Sequence, residues 1–269
     1  MEDMAEQAAT NDLAAGIAGQ RVLITAGAGG IGLAIARRLA AHGASLFICD
    51  VADDALAAFG EEFPDAGRIK ADVSDEGDVD RMFDAAAEKL GGLDALINNA
   101  GIAGPTGGVD AIDPADWRRT IDVCLTGQFL CARRAVPMLK SAGGGSMVNM
   151  SSAAGRYGYA FRTPYSSAKW GVIGFTQSLA KELGPANIRV NAILPGIVEG
   201  PRMTGVIRDR AAQVGVSYEE METQYLSNVS LRRMVSPDDV GAMIAFLLSN
   251  AGANVSGQSL GVDANVEAL

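Results

Sequence analysis

The chain has 269 residues, a formal net charge of −10, 48% hydrophobic and 20% charged residues. That length carries one large α/β domain with a substantial core, and the acidity argues against nucleic-acid or anionic-membrane partners, since no Lys/Arg-rich run supplies a basic patch. A single histidine, His42, and three cysteines without CxxC spacing, Cys49, Cys124 and Cys131, point to no metal centre and no disulfide, and fit a reducing compartment.

Residues 1–17 are acidic and rich in small side chains, and read as a flexible tail ahead of a single domain over 18–269. No basic stretch followed by an apolar run opens the chain and no apolar run is long enough to cross a membrane, so the expectation is a cytoplasmic protein. An apolar run over 21–25 predicts a buried strand. Ile31, Ile35 and Leu39 then recur at spacing four, one face of a helix, with His42 near its end in a surface or capping role. Further strands are predicted over 44–50, 68–73, 95–101, 146–152, 188–196 and 259–264, with helical patterns between them, notably over 114–139, 164–183 and 237–248. Strands alternating with helices imply right-handed crossovers and a parallel sheet covered on both faces. The segment 200–235 is polar, rich in Arg and Met, and breaks this rhythm at the carboxyl end of a strand, where a substrate-covering lid is expected.

Between the first strand and first helix runs Thr25-Ala26-Gly27-Ala28-Gly29-Gly30-Ile31-Gly32. Glycines let backbone approach a pyrophosphate closely, and the helix N-terminus adds N–H donors and positive dipole. Asp50 ends the second strand, where an acid accepts hydrogen bonds from an adenosine ribose and repels a 2′-phosphate; the turn carries no Lys or Arg to hold one. Both features favour NAD over NADP. The alternative for Asp50 is a capping acid ahead of Val51 and Ala52. Ser152 closes a predicted strand, and Tyr165 and Lys169 share a helix face at i and i+4. An ammonium beside a phenol favours the phenolate, which makes tyrosine a usable base, while the serine hydroxyl can donate to a substrate oxygen.

The glycine turn, Asp50, Asp72, Asn98-Asn99-Ala100-Gly101, Ser152, Tyr165-x-x-x-Lys169 and Pro195-Gly196, in this order and spacing, resemble the short-chain dehydrogenase/reductase family over nearly the whole chain. The resemblance implies a Rossmann-like, doubly wound parallel sheet of about seven strands and an alcohol dehydrogenase or carbonyl reductase. It assigns Tyr165 as general acid/base, Lys169 as its tuner and the holder of the nicotinamide ribose, and Ser152 as the group that orients the substrate oxygen. Cofactor contacts carried over are Gly27, Gly30, Ile31, Gly32 and Asp50; Asp72 and Val73 beside adenine; Asn99, Ala100 and Gly101 beside ribose; and Pro195, Gly196 and Val198 against nicotinamide. The family also implies a homotetramer built through the long helices.

Four positions depart from the family pattern. Ala26 stands for the first turn glycine, and Cys124 for the asparagine of a water relay from the lysine, where the backbone carbonyl is left to hold the water. Gly200 stands for a threonine after the Pro-Gly strip, and Ala264-Asn265 for a Gly-Gly pair. None of these removes a proton-transfer group.

For the substrate, Arg156, Arg162 and Arg202 flank the proposed site, with Arg208, Arg210, Arg232 and Arg233 further along the lid. Arginine suits bidentate recognition of carboxylate, sulfonate or phosphate, so a polar or anionic hydroxy compound such as a sugar acid or hydroxy acid is expected, against the alternative that these side chains are solvated or paired with acids. Tyr157, Tyr159, Phe161, Met203 and Met221 offer either an apolar lining or packing, which leaves a 3-oxoacyl-thioester or lipophilic ketone reductase as one alternative. A non-catalytic dinucleotide-binding scaffold or redox sensor is the alternative of another class.

Overall fold

The structure, a computed structural model, describes residues 15–269. In chain order it comprises β1 (Arg21–Thr25), α1 (Gly30–Ala41), β2 (Ser45–Asp50), α2 (Asp53–Glu62), β3 (Gly67–Lys70), α3 (Glu76–Leu90), β4 (Ala95–Asn98), α4 (Pro114–Ile121) and α5 (Gly127–Ser141). There follow β5 (Gly145–Met150), α6 (Thr163–Leu183), β6 (Ile188–Pro195), α7 (Pro201–Val214), α8 (Tyr218–Ser227), α9 (Pro237–Leu248) and β7 (Ser259–Val262).

All seven strands pair in parallel in the order β3-β2-β1-β4-β5-β6-β7. The order reverses direction between β1 and β4, which opens a crevice at the carboxyl edge of the sheet. Strand residues alternate between two cores. Leu23, Leu96 and Met147 face one helical layer, with Met82 and Phe83 of α3 and Cys131 and Leu139 of α5. Val22, Ile24, Ile97 and Val148 face the other, with Ile35 and Leu39 of α1 and Val240 and Ile244 of α9. A sheet buried on both sides explains why the strands read as continuous apolar runs.

Three boundaries differ from expectation. The packed domain begins before residue 18: Ile17 is fully buried in the second core, and Ala15 O accepts from the Asn250 N–H at 2.8 Å. The rest of the expected tail, residues 1–14, lies outside the described residues. Several strands end short of their expected ranges, at Lys70, Asn98, Met150 and Val262. The residues beyond these ends, among them Asp72, Asn99 and Ser152, become loops around the crevice. The helix expected over 114–139 is interrupted by a π-helical turn over Asp122–Thr126, with Cys124 inside it.

The segment 200–235 folds into α7 and α8 around a small third core, in which Ile207, Ala211, Met221, Tyr225 and Val229 meet Ala153, Ile197 and Val266 from the rest of the domain. Among the described residues, no helix is long and apolar enough to cross a membrane.

Candidate active site

The crevice holds a cavity of about 350 Å³. Its walls bring together Gly30, Ile31, Asp50, Asn99 and Gly101 from the β1–β4 side, Ser152, Tyr165 and Lys169 from β5 and α6, and Pro195, Gly196 and Val198 after β6. Gly27, Gly32, Asp72, Val73 and Ala100, expected to touch a cofactor, do not line it. Their contacts show why the sequence needs them. A Cβ on Gly27 would come within 2.6 Å of Ile48, and one on Gly32 within 2.0 Å of Ala26 O, so both glycines let the turn pack closely. Asp72 accepts from Ser74 N and Oγ and pairs with Arg119 at 2.7 Å. Burial works to raise its carboxyl, but these donors win and hold it below the usual carboxylate range. Val73 is buried beneath Gly127, and Ala100 is buried.

Thr25 stitches the crevice shut at its base. Its Oγ1 accepts from the N–H groups of Asn99 and Ala100 at 3.0 and 2.9 Å, and the Asn99 amide donates to Thr25 O and Ala26 O. Ala26 sits at φ 50°, and Ala264 and Asn265 at φ 53° and 60°. These departures from glycine therefore occupy left-handed backbone, at a cost of about 1 kcal/mol for each alanine. Gly200, at φ 134°, occupies backbone that a threonine would adopt only under strain. Replacing Gly32 by Ala drives the new methyl into the Ala26 backbone carbonyl, so a loss of roughly 1–3 kcal/mol is expected. Thermal denaturation would show the midpoint lowered by several degrees, and an unchanged midpoint would mean the turn relaxes freely.

At the cofactor end, a Cβ on Gly29 or Gly30 would meet nothing within 4 Å. Bare backbone at the N-terminus of the twelve-residue α1 thus faces the cavity, a cradle that fits a pyrophosphate. Asp50 is placed where a ribose contact is expected and also makes the backbone contacts of the alternative reading. It lines the cavity, and its Oδ1 also accepts from the N–H groups of Val51 and Ala52 at 2.8 and 3.2 Å while Oδ2 accepts from Ala28 N–H at 3.2 Å.

At the other end, Ser152 is extended, with its Oγ accepting from the Ala154 N–H at 3.1 Å. Ser151 Oγ donates to Lys169 O at 2.7 Å and Ser166 Oγ to Ala154 O at 2.8 Å, which clamps the 152–155 turn onto α6. Gly155 permits this approach: a Cβ there would lie 2.4 Å from Ser151 Oγ. None of these clamp residues was picked out by sequence, because hydroxyls and a lone glycine carry no motif of their own. Lys169 is only 3% exposed, donates to Met150 O at 2.7 Å, and lies 5.6 Å from the Tyr165 ring centroid. Burial alone would raise the Tyr165 phenol. The charges of Lys169 and Arg202 and a hydrogen bond with Ser152 outweigh it, so Tyr165 titrates below the ordinary phenol value. Tyr159, also on the cavity wall, behaves oppositely: burial and a 2.5 Å hydrogen bond to Tyr225 keep it protonated.

Of the arginines, Arg162 and Arg202 reach the cavity and Arg156 does not; it is exposed and donates to Ser259 O. Arg232 is tied to carbonyls at the end of α8, and Arg210 stacks on Phe161 at 4.4 Å. Arg162 is 4% exposed, donates to Ala103 O at 2.6 Å, lies 5.3 Å from the Tyr165 ring, and has an Nε without a partner. Arg202 donates to Gly101 O at 3.2 Å and lies 5.9 Å from the same ring. Among the described residues neither forms an ion pair with an acid, although Glu199 also lines the cavity. Tyr159 and Met203 line the cavity, whereas Tyr157 and Met221 pack under α7 and α8.

Comparison with known proteins follows the same lines. A family profile described as enoyl-(acyl carrier protein) reductase matches residues 25–264. The cis-4-hydroxycyclohexanecarboxylate dehydrogenase of Sinomonas cyclohexanicum is 38% identical over 92% of this chain and 96% of its own length. Among solved structures, a variant of actinorhodin polyketide ketoreductase with NADPH superposes with TM-score 0.88 at 32% identity, covering 93% of this chain and 97% of that one. An NAD⁺-bound xylitol dehydrogenase superposes with TM-score 0.86 at 29% identity, covering 91% and 98%.

Proposed function

This chain belongs to the short-chain dehydrogenase/reductase family, oxidoreductases acting on alcohols and ketones with a nicotinamide dinucleotide, and we propose that it uses NAD(H) to interconvert a hydroxy acid and its ketone. One observation carries the reading: Tyr165, with its phenol lowered by Lys169, lines the same cavity as the bare N-terminus of α1. The pyrophosphate would lie along Gly29, Gly30 and Ile31, the adenosine ribose at Asp50, and the nicotinamide end beside Lys169, Pro195, Gly196 and Val198. Bound there, the nicotinamide supplies or accepts the hydride.

The protein's own part is proton transfer and orientation. In oxidation the Tyr165 phenolate takes the alcohol proton, and the Ser152 hydroxyl donates to the substrate oxygen. In reduction the phenol returns the proton. Asp50 supports NAD over NADP, because its carboxylate would meet a 2′-phosphate with like charge. Arg162 and Arg202 support a carboxylate on the substrate. Both stand over the ring of Tyr165 without an acidic partner; Arg162 is buried and Arg202 exposed at the rim, and a buried guanidinium such as that of Arg162 is stabilised by an anion that accepts two of its hydrogen bonds. The carboxylate in the substrate of the Sinomonas relative is in keeping with this. Segment 200–235 acts as the cover, with Met203, Val206 and Tyr225 in the cavity wall. Exposed Phe129 and Trp170, on α5 and α6, support a homotetramer paired through these helices.

The test is turnover of NAD⁺ or NADP⁺ with a panel of hydroxy acids, their methyl esters and neutral secondary alcohols. Preference for NAD⁺ and for the free acids is expected. Arg162→Ala and Arg202→Ala should each raise KM for the acid by about 10- to 100-fold, as a lost charge-assisted hydrogen bond does, and leave KM for the ester near its wild-type value. Acid and ester responding alike would remove the carboxylate site, and preference for NADP⁺ would remove the reading of Asp50.

A further inference from the structure

We infer that Gln128 is a positioning residue that fixes the carbonyl to which Lys169 is docked, in a chain whose π-helical turn carries Cys124 and no amide. The inference rests on the reading of Tyr165 and Lys169 given above. Gln128 is 2% exposed on the inner face of α5, among Leu130 and Cys131. Its Nε2 donates to Cys124 O and to Met150 O, both at 3.1 Å. Both neighbours are acceptors, so the orientation of the amide is dictated by chemistry. Met150 O also accepts from Lys169 Nζ at 2.7 Å. The last carbonyl of β5 is thus gripped by a glutamine from α5 and a lysine from α6, and both of its lone pairs are used.

The backbone of Gln128 is itself held. Asn98 Nδ2 donates to Gln128 O at 3.3 Å and to Asn149 Oδ1 at 2.9 Å, and Asn149 Nδ2 donates to Thr176 Oγ1 at 3.0 Å. The arrangement is not one that packing would choose. Gln128 Oε1 is buried without a partner, a cost that an apolar side chain of similar size avoids. Cys124 cannot do the same work. Its thiol exchanges long hydrogen bonds, 3.4 Å each, with the N–H and C=O of Ile102, and its carbonyl, the group left to hold a relay water in the sequence reading, already accepts from Gln128. Gln128, one turn further along, brings the amide donor that the turn lacks. Its effect on Tyr165 runs through Lys169; the other groups facing that phenol are Arg162, Arg202, Tyr159, Cys124 and Ser152.

The experiment compares the wild type with Gln128→Leu and with Gln128→Leu carrying Cys124→Asn. All are assayed as full-length enzyme with NAD⁺ and the best alcohol of the panel, from acid to alkaline pH, with thermal midpoints alongside. For Gln128→Leu, kcat should fall by about tenfold, as for loss of an outer-shell hydrogen bond. The acid limb of kcat should move to higher pH because a loosened ammonium stabilises the phenolate less, while KM stays within about twofold and the midpoint is not lowered. Adding Cys124→Asn should return part of the rate and move the limb back. A limb that does not move in the folded variant overturns the inference, whether or not kcat falls. Should Gln128→Leu fail to fold, Gln128→Met, which keeps the length and removes the amide, takes the same readout. Tyr165→Phe is run in parallel. A dead Tyr165→Phe beside an unaltered Gln128→Leu removes only the role of Gln128, whereas an active Tyr165→Phe removes the reading on which it stands.

Discussion

Replacing Tyr165 with phenylalanine is expected to lower kcat by roughly 10²–10⁴-fold, the usual contribution of a positioned acid/base, while binding of NADH measured by fluorescence titration stays close to wild type. The variant is a clean one. Lys169, Arg162 and Arg202 lie 5.6, 5.3 and 5.9 Å from the Tyr165 ring, and phenylalanine keeps that ring and its attraction for cations. Only the hydroxyl goes. Three tyrosines line the cavity, so the comparison with Tyr159→Phe matters. Burial and Tyr225 keep Tyr159 protonated, and its loss should alter kcat by no more than a few-fold, in the range of a lost neutral hydrogen bond. If Tyr165→Phe kept a tenth of the activity, or Tyr159→Phe abolished it, the proton-transfer role would be misplaced.

The sheet and the Tyr165–Lys169 pair were legible because they are written in local periodicity: apolar runs for strands buried on both faces, spacing four for a helix face. The ends of the strands were not, since the runs expected over 95–101 and 146–152 take in residues past Asn98 and Met150 that leave the sheet for the crevice. Beyond Asn98 and Met150 the chain is held by side chains such as Thr25 and Ser151, which no period records. Glycines were read too uniformly. Gly29 and Gly30 face the cavity, but Gly27 and Gly32 are demanded by the atoms of Ile48 and Ala26, and that distinction exists only in three dimensions. Among the arginines, sequence proximity to Ser152 put Arg156 and Arg162 together. The turn after the short Ala153–Gly155 helix sends the first to β7 and the second over the ring of Tyr165. Gln128 carried no signal at all, because a polar residue within an apolar helix pattern reads as surface until its partners are seen.

Lys169→Met is expected to act on the same proton by a different route. The substitution removes a buried charge without leaving its acceptor unsatisfied, since Met150 O keeps the Gln128 amide. An opposite charge at close range moves a pKa by about 1–3 units, so kcat near neutrality should fall by roughly 10- to 1000-fold, one decade for each unit by which the phenolate becomes rarer. The sign can be followed through both directions of reaction. Oxidation needs the phenolate and is lost as pH falls through the Tyr165 pKa, which lies below the ordinary phenol value. Without Lys169 that limb moves to higher pH, and alkaline buffer restores part of the rate. Reduction needs the phenol and is lost as pH rises through the same pKa, so its alkaline limb moves up in parallel. Arg202 adds a second, substrate-dependent shift, because its charge also lowers Tyr165. A carboxylate bound to Arg202 cancels part of that charge. For a hydroxy acid, the acid limb of kcat, which reports the substrate complex, should therefore lie at higher pH than that of kcat/KM, which reports the free enzyme. With a neutral alcohol the two limbs should coincide. Coincident limbs for the acid as well would separate the two arguments, leaving Lys169 in place and showing that the carboxylate does not reach Arg202.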